Sequence, residues 1–243
     1  MKYKALALDY DGTIAWHGEV DEPTIAALKE LKASGRKLLM VTGREIPELM
    51  QTFPEATMFD LIVGENGALL YDPARKSYEL LAPPPPERFS QMLRDRGVKP
   101  MSVGKVIVAT WEPHQHTVLQ TIRDLGLELE VIFNKGAVMI LPSGVNKGTG
   151  LVKAARRLKL DPKSIVAAGD AENDHSFANA AGFFAAVANA IPSLKERADW
   201  VTPSDHGAGV AELIQQMVLN DLRNNTPRQA RVSSHHFPPT SGQ

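Results

Sequence analysis

The run Ala5-Leu6-Ala7-Leu8-Asp9-Tyr10-Asp11-Gly12-Thr13 decides the fold. Four apolar residues stop at an acidic turn, the pattern of a buried strand that carries its functional residues at the carboxyl end. In extended backbone, side chains two apart share a face, so Asp9 and Asp11 converge while Tyr10 turns away. Two carboxylates about 4 Å apart repel by about 4 kcal/mol at an effective dielectric near 20, so the arrangement calls for a cation or a shared proton. An ordinary acidic turn closed by Gly12 also fits these residue types.

Downstream, Ile25, Ala26, Leu28 and Leu31 recur at helical spacing over Pro23 to Ser34, and Gly35 ends the helix. Lys37 to Val41 reads as a second buried strand, Glu45 to Thr52 as a helix and Leu61 to Val63 as a third strand, with a turn at Glu65-Asn66-Gly67 before Ala68 to Tyr71. Strand, helix and strand in succession predict a right-handed parallel crossover and an α/β sheet covered on both faces. From Lys147 the same rhythm returns: a helix to Leu158, a strand Ile165 to Ala168, a helix Asp174 to Ala181, a strand Phe183 to Val187 and a helix Val210 to Leu222.

Between these halves the chain changes character. Pro83-Pro84-Pro85-Pro86 cannot continue a helix or a central strand, because each ring removes a backbone donor and fixes φ. From Glu87 the pattern predicts a helix to about Arg96, a strand Lys105 to Thr110, a helix His114 to Leu125, and strands Glu130 to Phe133 and Ala137 to Leu141. Asn134-Lys135-Gly136 between the last two strands marks an antiparallel hairpin. The segment is a small α+β insert. Arg223 to Gln243, rich in Arg, Asn, Pro, Ser and His, has too few apolar residues to pack and is expected to be a disordered tail.

Composition narrows the function. The 27 basic and 28 acidic residues give a net charge of -1, which argues against nucleic acid as a partner. Cysteine is absent, which excludes disulfides, thiolate catalysis and zinc ribbons, and suits a reducing cytoplasm. No apolar run has the length of a secretory signal or a membrane span.

Four further positions carry chemistry. Gly169-Asp170-Ala171-Glu172-Asn173-Asp174 closes a strand and opens a helix. Asp170 at the strand end suits an octahedral Mg²⁺ with oxygen ligands, Asp174 is a second ligand or a support, and an ordinary N-cap is the competing reading. Val41-Thr42-Gly43-Arg44 offers a hydroxyl, a close backbone approach and a guanidinium to phosphate oxygens, and equally suits a capping Thr. Lys147 has a compact charge able to neutralise phosphate and carboxylates together, while the bland reading is a solvated first-turn lysine. In the insert, Lys105, Glu112, His114, His116 and Lys135 read better as surface or turn residues than as substrate contacts, and none is assigned.

Aspartates at the first strand end, Thr at the second, a distant Lys and a final acidic pair, in that order, resemble the four motifs of the haloacid dehalogenase (HAD) superfamily of phosphohydrolases. The insert between the second and third motifs is similar to the type 2 cap of the branch that acts on sugar phosphates and phosphoglycolate, as are Gly64-Glu65-Asn66-Gly67 and Asn146-Lys147-Gly148. The resemblance implies a Rossmann-like parallel-sheet core over residues 1–82 and 144–222 and a type 2B-like cap over 83–143. It further implies a phosphatase acting on small-molecule phosphate esters, with Asp9 as nucleophile, Asp11 as general acid/base, and Thr42 and Lys147 as catalytic partners. Mg²⁺ would be held by Asp9, the backbone carbonyl of Asp11 and Asp170, with Asp174 behind. Thr13, Gly43, Arg44, Lys147 and Asn173 are the expected substrate-binding residues. A phosphomutase or phosphotransferase would use the same aspartates; a receiver-type signalling domain, which needs no cap, and a non-catalytic binding protein fit the chain less well.

Overall fold

The computed structural model describes residues 1–225. The expected first unit is present as β1 (Ala5–Leu8), α1 (Glu22–Ala33) and β2 (Lys37–Val41). The Asp21 carboxylate accepts the Thr24 N–H and starts α1, and Pro23 occupies its first turn. The chain continues through α2 (Ile46–Thr52), β3 (Leu61–Gly64), β4 (Leu69–Asp72) and β5 (Ser77–Leu80). The insert supplies α3 (Glu87–Asp95), β6 (Met101–Val103), β7 (Val108–Trp111), α4 (Gln115–Leu125), β8 (Leu129–Asn134) and β9 (Ala137–Pro142). The chain then returns with α5 (Lys147–Arg157), β10 (Ile165–Gly169), α6 (His175–Ala180), β11 (Phe183–Ala186), α7 (Pro192–Lys195), β12 (Trp200–Val201) and α8 (His206–Asn220).

The main sheet runs in the order β12-β11-β10-β1-β2-β3-β4-β5. It is parallel from β12 to β3, and β4 and β5 extend it antiparallel. β1 lies at its centre, with Leu8 in register with Ala168 on one side and Met40 on the other. From β1, strands β2, β3, β4 and β5 are laid down in one direction and β10, β11 and β12 in the other. The carboxyl ends of β1 and β10 are therefore the switch point where an α/β sheet opens a crevice. Asp9 follows β1, Thr42 follows β2 and Asp170 follows β10, so three motifs far apart in sequence meet at one sheet edge.

The insert forms a separate antiparallel sheet, β6-β7-β9-β8. Its period of two is clear on β9. Val138 and Ile140 pack with Phe89, Leu93, Val118 and Ile122 beneath α3 and α4, while Met139 and Leu141 pack on the other face with Val106, Ile107 and Ala68.

Several expectations need correction. The strand expected over Lys105 to Thr110 begins only at Val108, because residues 105–107 turn their backbone N–H groups onto a buried side chain from the core. The last helix starts at His206, ahead of the expected Val210, and Gly207 and Gly209 in its first turn fit tightly against Thr24, Thr202 and Ser204. β5 has all four residues exposed and β12 has two residues, so neither carries a burial pattern to read. The expected tail from Arg223 lies, beyond Asn225, outside the described residues. No helix among the described residues is long and apolar enough to cross a membrane.

Among the contacts that attach the insert to the core, one rests on a buried carboxylate. Glu65 is buried at positive φ, and its carboxylate accepts from the N–H groups of Lys105, Val106 and Ile107 at 2.9, 2.7 and 2.9 Å. Gly104 beside it must lack a side chain, since a Cβ there would meet the Glu65 carboxylate at 2.8 Å. Glu65→Ala would strand three donors and is expected to lower stability by roughly 3 kcal/mol, with Glu65→Gln, which keeps one acceptor oxygen, losing about half as much. Urea denaturation measures both; an unmoved midpoint for Glu65→Ala would show that the loop finds other acceptors.

Candidate active site

The site is assembled from strand ends. The Asp9 N–H donates to the Ala168 carbonyl at 3.0 Å, so sheet pairing carries one residue past β1 and aims its side chain at the neighbouring turn. Gly12 then reverses the chain at φ +83, and any Cβ there would strike the Asp170 carboxylate at 2.4 Å and the Lys135 ammonium at 2.5 Å. Its carbonyl is tied from behind by Asn189 Nδ2 at 2.8 Å and the His206 ring at 2.9 Å.

Lys147 stands at the centre. It is the first residue of α5, held there by a capping box between Asn146 and Thr149, and only 1% of it is exposed. Its ammonium donates to Asp9 Oδ1 at 2.6 Å and Asp174 Oδ1 at 2.7 Å. Asp174 uses its other oxygen to accept the N–H groups of Asp170 and Ala171 at 2.9 and 3.0 Å. It thus shapes the turn that presents Asp170. The Thr13 hydroxyl, fully buried, lies 3.3 Å from Asp9 Oδ2 and 3.2 Å from Asp170 Oδ1.

Electrostatics follow from burial. Desolvation is the strongest influence on Asp9 and raises its pKa; Lys147 opposes it, Asp174 and Asp170 add to it, and the outcome is well above the usual carboxylate range. Burial works against the Lys147 ammonium, but Asp174 and Asp9 outweigh it and hold the charge on. Asp170 is raised by burial against the pull of Lys135. Three carboxylates face two ammonium groups, so the cluster carries a surplus of negative charge.

That surplus suits a divalent cation. Asp9, Asp170 and Asp174 each offer an oxygen within 4.8 Å of the others, an all-oxygen set matching the preference of Mg²⁺. Asp174 is already engaged by three protein donors, so it fits as a support, leaving Asp9 and Asp170 as the open carboxylates.

The first motif separates its two aspartates more than the sequence suggests. Asp11 does not share Lys147 with Asp9. Its carboxylate is gripped by Arg44, Nε to Oδ2 at 2.8 Å and Nη2 to Oδ1 at 2.7 Å, and its side chain is 43% exposed. The repulsion expected between Asp9 and Asp11 is relieved by a separate cation for each.

The same pairing alters the expectation for Arg44, whose guanidinium also meets Glu48 at 3.0 Å and so is committed to carboxylates. Its hydrogen bonds to Asp11 raise its pKa. Thr13, expected at the substrate, lies beneath the carboxylates and orients them. Thr42 is fully buried and accepts the Arg44 N–H at 3.1 Å.

Gly43 and Asn173 line a cavity of about 370 Å³ with Asp9 and Asp11 at one end and the insert residues Met101, Ile107, Ala109 and Met139 along its wall. Asn173 Nδ2 donates to Asn66 Oδ1 at 3.0 Å, leaving Asn173 Oδ1 and Asn66 Nδ2 buried without partners among the described residues.

Sequence reasoning passed over Lys135, whose ammonium reaches Asp170 Oδ2 at 2.6 Å from the insert hairpin, and Asn66, Asn189 and His206. The hairpin signal Asn-Lys-Gly placed Lys135 at a tip, but which way the tip points depends on how the two sheets meet.

A family model described as haloacid dehalogenase-like hydrolase matches residues 6–93 and 93–214. The phosphoglycolate phosphatase of Methanothermobacter thermautotrophicus is 31% identical over 228 residues, covering 88% of this chain and 99% of that protein. Phosphoglycolate phosphatase 2 of Saccharolobus solfataricus is 30% identical over 223 residues, covering 89% and 93%. Among solved structures, a sugar phosphatase of HAD subclass IIB superposes with a TM-score of 0.71 at 19% identity, covering 88% of this chain and 98% of that one.

Removing the central ammonium tests the cluster. Lys147→Met leaves buried carboxylates uncompensated and is expected to cost about 3–5 kcal/mol near pH 7. Asp9, already raised by burial, loses the ammonium that opposed the rise, so the stability it permits is present when protonated and lost as pH rises. Urea denaturation at two pH values should therefore show the deficit narrowing on the acid side; a deficit that widens toward acid would contradict this account.

Proposed function

This chain belongs to the haloacid dehalogenase-like hydrolases and is a phosphatase of that family, and from this premise we propose that it transfers the phosphoryl group of a small-molecule phosphate monoester to Asp9 and then to water, with Mg²⁺ as cofactor. The observation that carries the proposal is the placement of Asp9: a buried carboxylate at the end of the central strand, one oxygen on Lys147 and the other beside Thr13, in the lining of the cavity. Asp9 and Asp170 would hold the cation together with the backbone carbonyl of Asp11, with Asp174 supporting from behind. Bound there, Mg²⁺ neutralises charge on the phosphoryl oxygens.

The chain's own groups divide the remaining work. Asp9 attacks phosphorus along a path fixed by Lys147 and Thr13, giving an aspartyl-phosphate. Lys147, held charged by two carboxylates, faces the incoming anion and keeps Asp9 oriented. Asp11, half-exposed at the cavity rim, turns from Arg44 to protonate the leaving alkoxide and then removes a proton from the attacking water. The unpartnered amide donor of Asn66 and the backbone at Gly43 are further donors for phosphoryl oxygens. The leaving group occupies the cavity beneath the insert, and the printed activities of the relatives point to phosphoglycolate or a sugar phosphate as the first esters to assay.

Asp9→Asn should abolish phosphate release without loss of stability, because an amide is neither an adequate nucleophile nor an added negative charge in a carboxylate-rich site. Asp11→Asn, mixed with p-nitrophenyl phosphate, should accumulate a phosphoryl adduct on Asp9 in intact-mass spectra, since the activated leaving group needs no acid but the water still needs a base. EDTA should silence the wild type and Mg²⁺ restore it. Turnover by Asp9→Asn, or full activity in chelator at negligible metal content, would sink the mechanism. Phosphate delivered only to an added sugar and never to water would favour a phosphotransferase.

A further inference from the structure

Building on the phosphatase reading, we propose that Lys135, at the tip of the β8–β9 hairpin, determines specificity by reading a second negative charge on the substrate. The ligand class is a short carboxylate-bearing phosphate monoester, with the carboxylate one or two carbons from the ester oxygen.

The turn is the first observation. Lys135 and Gly136 form a two-residue loop between paired Asn134 and Ala137, with φ of +49 and +85. Such loops favour Asn, Asp or Gly at the first position, because a longer side chain is disfavoured at positive φ. Lysine there is a poor choice for the turn alone. Its ammonium instead reaches Asp170 at 2.6 Å and packs against Gly12, filling space that any side chain at Gly12 would take.

The second observation is the charge inventory around the cavity. Lys147 is buried between two carboxylates, and Arg44 is bound by Asp11 and Glu48. Lys135 has one carboxylate partner, a side chain 48% exposed, and a position on the insert. That partner, Asp170, is one of the carboxylates that fits the cation, so the ammonium can exchange it for a substrate anion. The rest of the cavity lining carries Glu45 and Glu48 and apolar Met101, Ile107, Ala109 and Met139, with Arg44 the only cation among the described lining residues. An anion placed there would be buried unpaired or beside like charge. A second charge is therefore accommodated only near the phosphoryl site, which limits the length of the ester.

Calorimetric titration of the Mg²⁺-loaded enzyme tests this with 3-phosphonopropionate, a non-hydrolysable isostere of 2-phosphoglycolate, and propylphosphonate, which lacks the carboxylate. Wild type should bind the first roughly ten- to a hundredfold more tightly. Lys135→Met should lose that preference and Lys135→Arg recover part of it. In turnover assays the ratio of kcat/KM on 2-phosphoglycolate to that on p-nitrophenyl phosphate should fall by the same factor in Lys135→Met, mainly through KM. Equal affinity of the wild type for the two phosphonates would overturn the proposal. So would equal weakening of both by Lys135→Met, since an ammonium serving only the phosphate or Asp170 affects both ligands alike. A wild type that releases phosphate from no ester would overturn the phosphatase reading instead.

Discussion

A single buried ammonium organises the catalytic end of this protein. Lys147 is sealed from solvent with Asp9 and Asp174 as its partners, and taking such charges out of water costs several kcal/mol per ion. The chain tolerates that cost only because the geometry is closed on all sides. α5 must begin at Lys147, β1 must end at Leu8, and the turn after β10 must bring Asp174 back beneath Asp170. Gly169 belongs to the same constraint, since a Cβ there would lie 2.5 Å from an Asp174 oxygen. Replacing the whole cluster, ammonium and carboxylates together, by packed apolar side chains of comparable volume is often neutral or stabilising, so stability does not explain the cluster. A need for concentrated, oriented charge at a strand end does.

The environments of Asp9 and Asp11 differ in the way their proposed roles require. Asp9 is buried, held by two neighbours and fixed in direction, as suits a nucleophile that must attack along one line. Asp11 is half-exposed and paired with an arginine at the rim, where a side chain is able to turn between the ester oxygen and a water. Two identical residues separated by one position acquire different proton chemistry from burial and partner alone. Arg44 is what allows this, because without its own cation Asp11 would compete for the charge of Lys147.

Much of this was legible in the residues. The apolar runs ending in Asp9, Thr42 and Asp170 read as strands because full burial leaves no alternation, and their common function followed from the rule that parallel strands gather ligands at their carboxyl ends. Lys147 and Asp174 were legible as candidates through their order along the chain, but not their contact: a first-turn lysine looks solvated until the opposing carboxylates are known. Arg44 was assigned to phosphate because sequence cannot say which anion a guanidinium meets first. Thr13 was assigned to substrate for a related reason, since a hydroxyl beside a carboxylate pair serves substrate or carboxylate equally well on paper. Asn189 and His206 act across more than a hundred residues and nothing local marks them, while Glu65 and Lys135 stood in visible motifs whose partners the sequence does not show. Glu65 and His206 do occupy positive φ, but that becomes visible only with the backbone.

Two of the contacts between core and insert, at Glu65 and at Lys135, differ in kind in a way that bears on how the site would open. At Glu65 three backbone donors converge on one buried carboxylate; charge-assisted bonds of this kind are each worth about 1.5–3 kcal/mol, and breaking them would strand the donors. At Lys135 a single half-exposed ammonium meets the buried Asp170 carboxylate, which a cation held beside Asp9 would satisfy in its place. A rotation of the insert would therefore part the hairpin tip from Asp170 before it broke the Glu65 attachment. Its pivot would lie near residues 104–107, next to Ile107, and the largest displacement would fall on residues 134–137. An insert hinged this way would close its charged tip onto the carboxylates and leave its apolar side nearly stationary, so recognition of a short polar ester would be coupled to closure more strongly than recognition of a long apolar one.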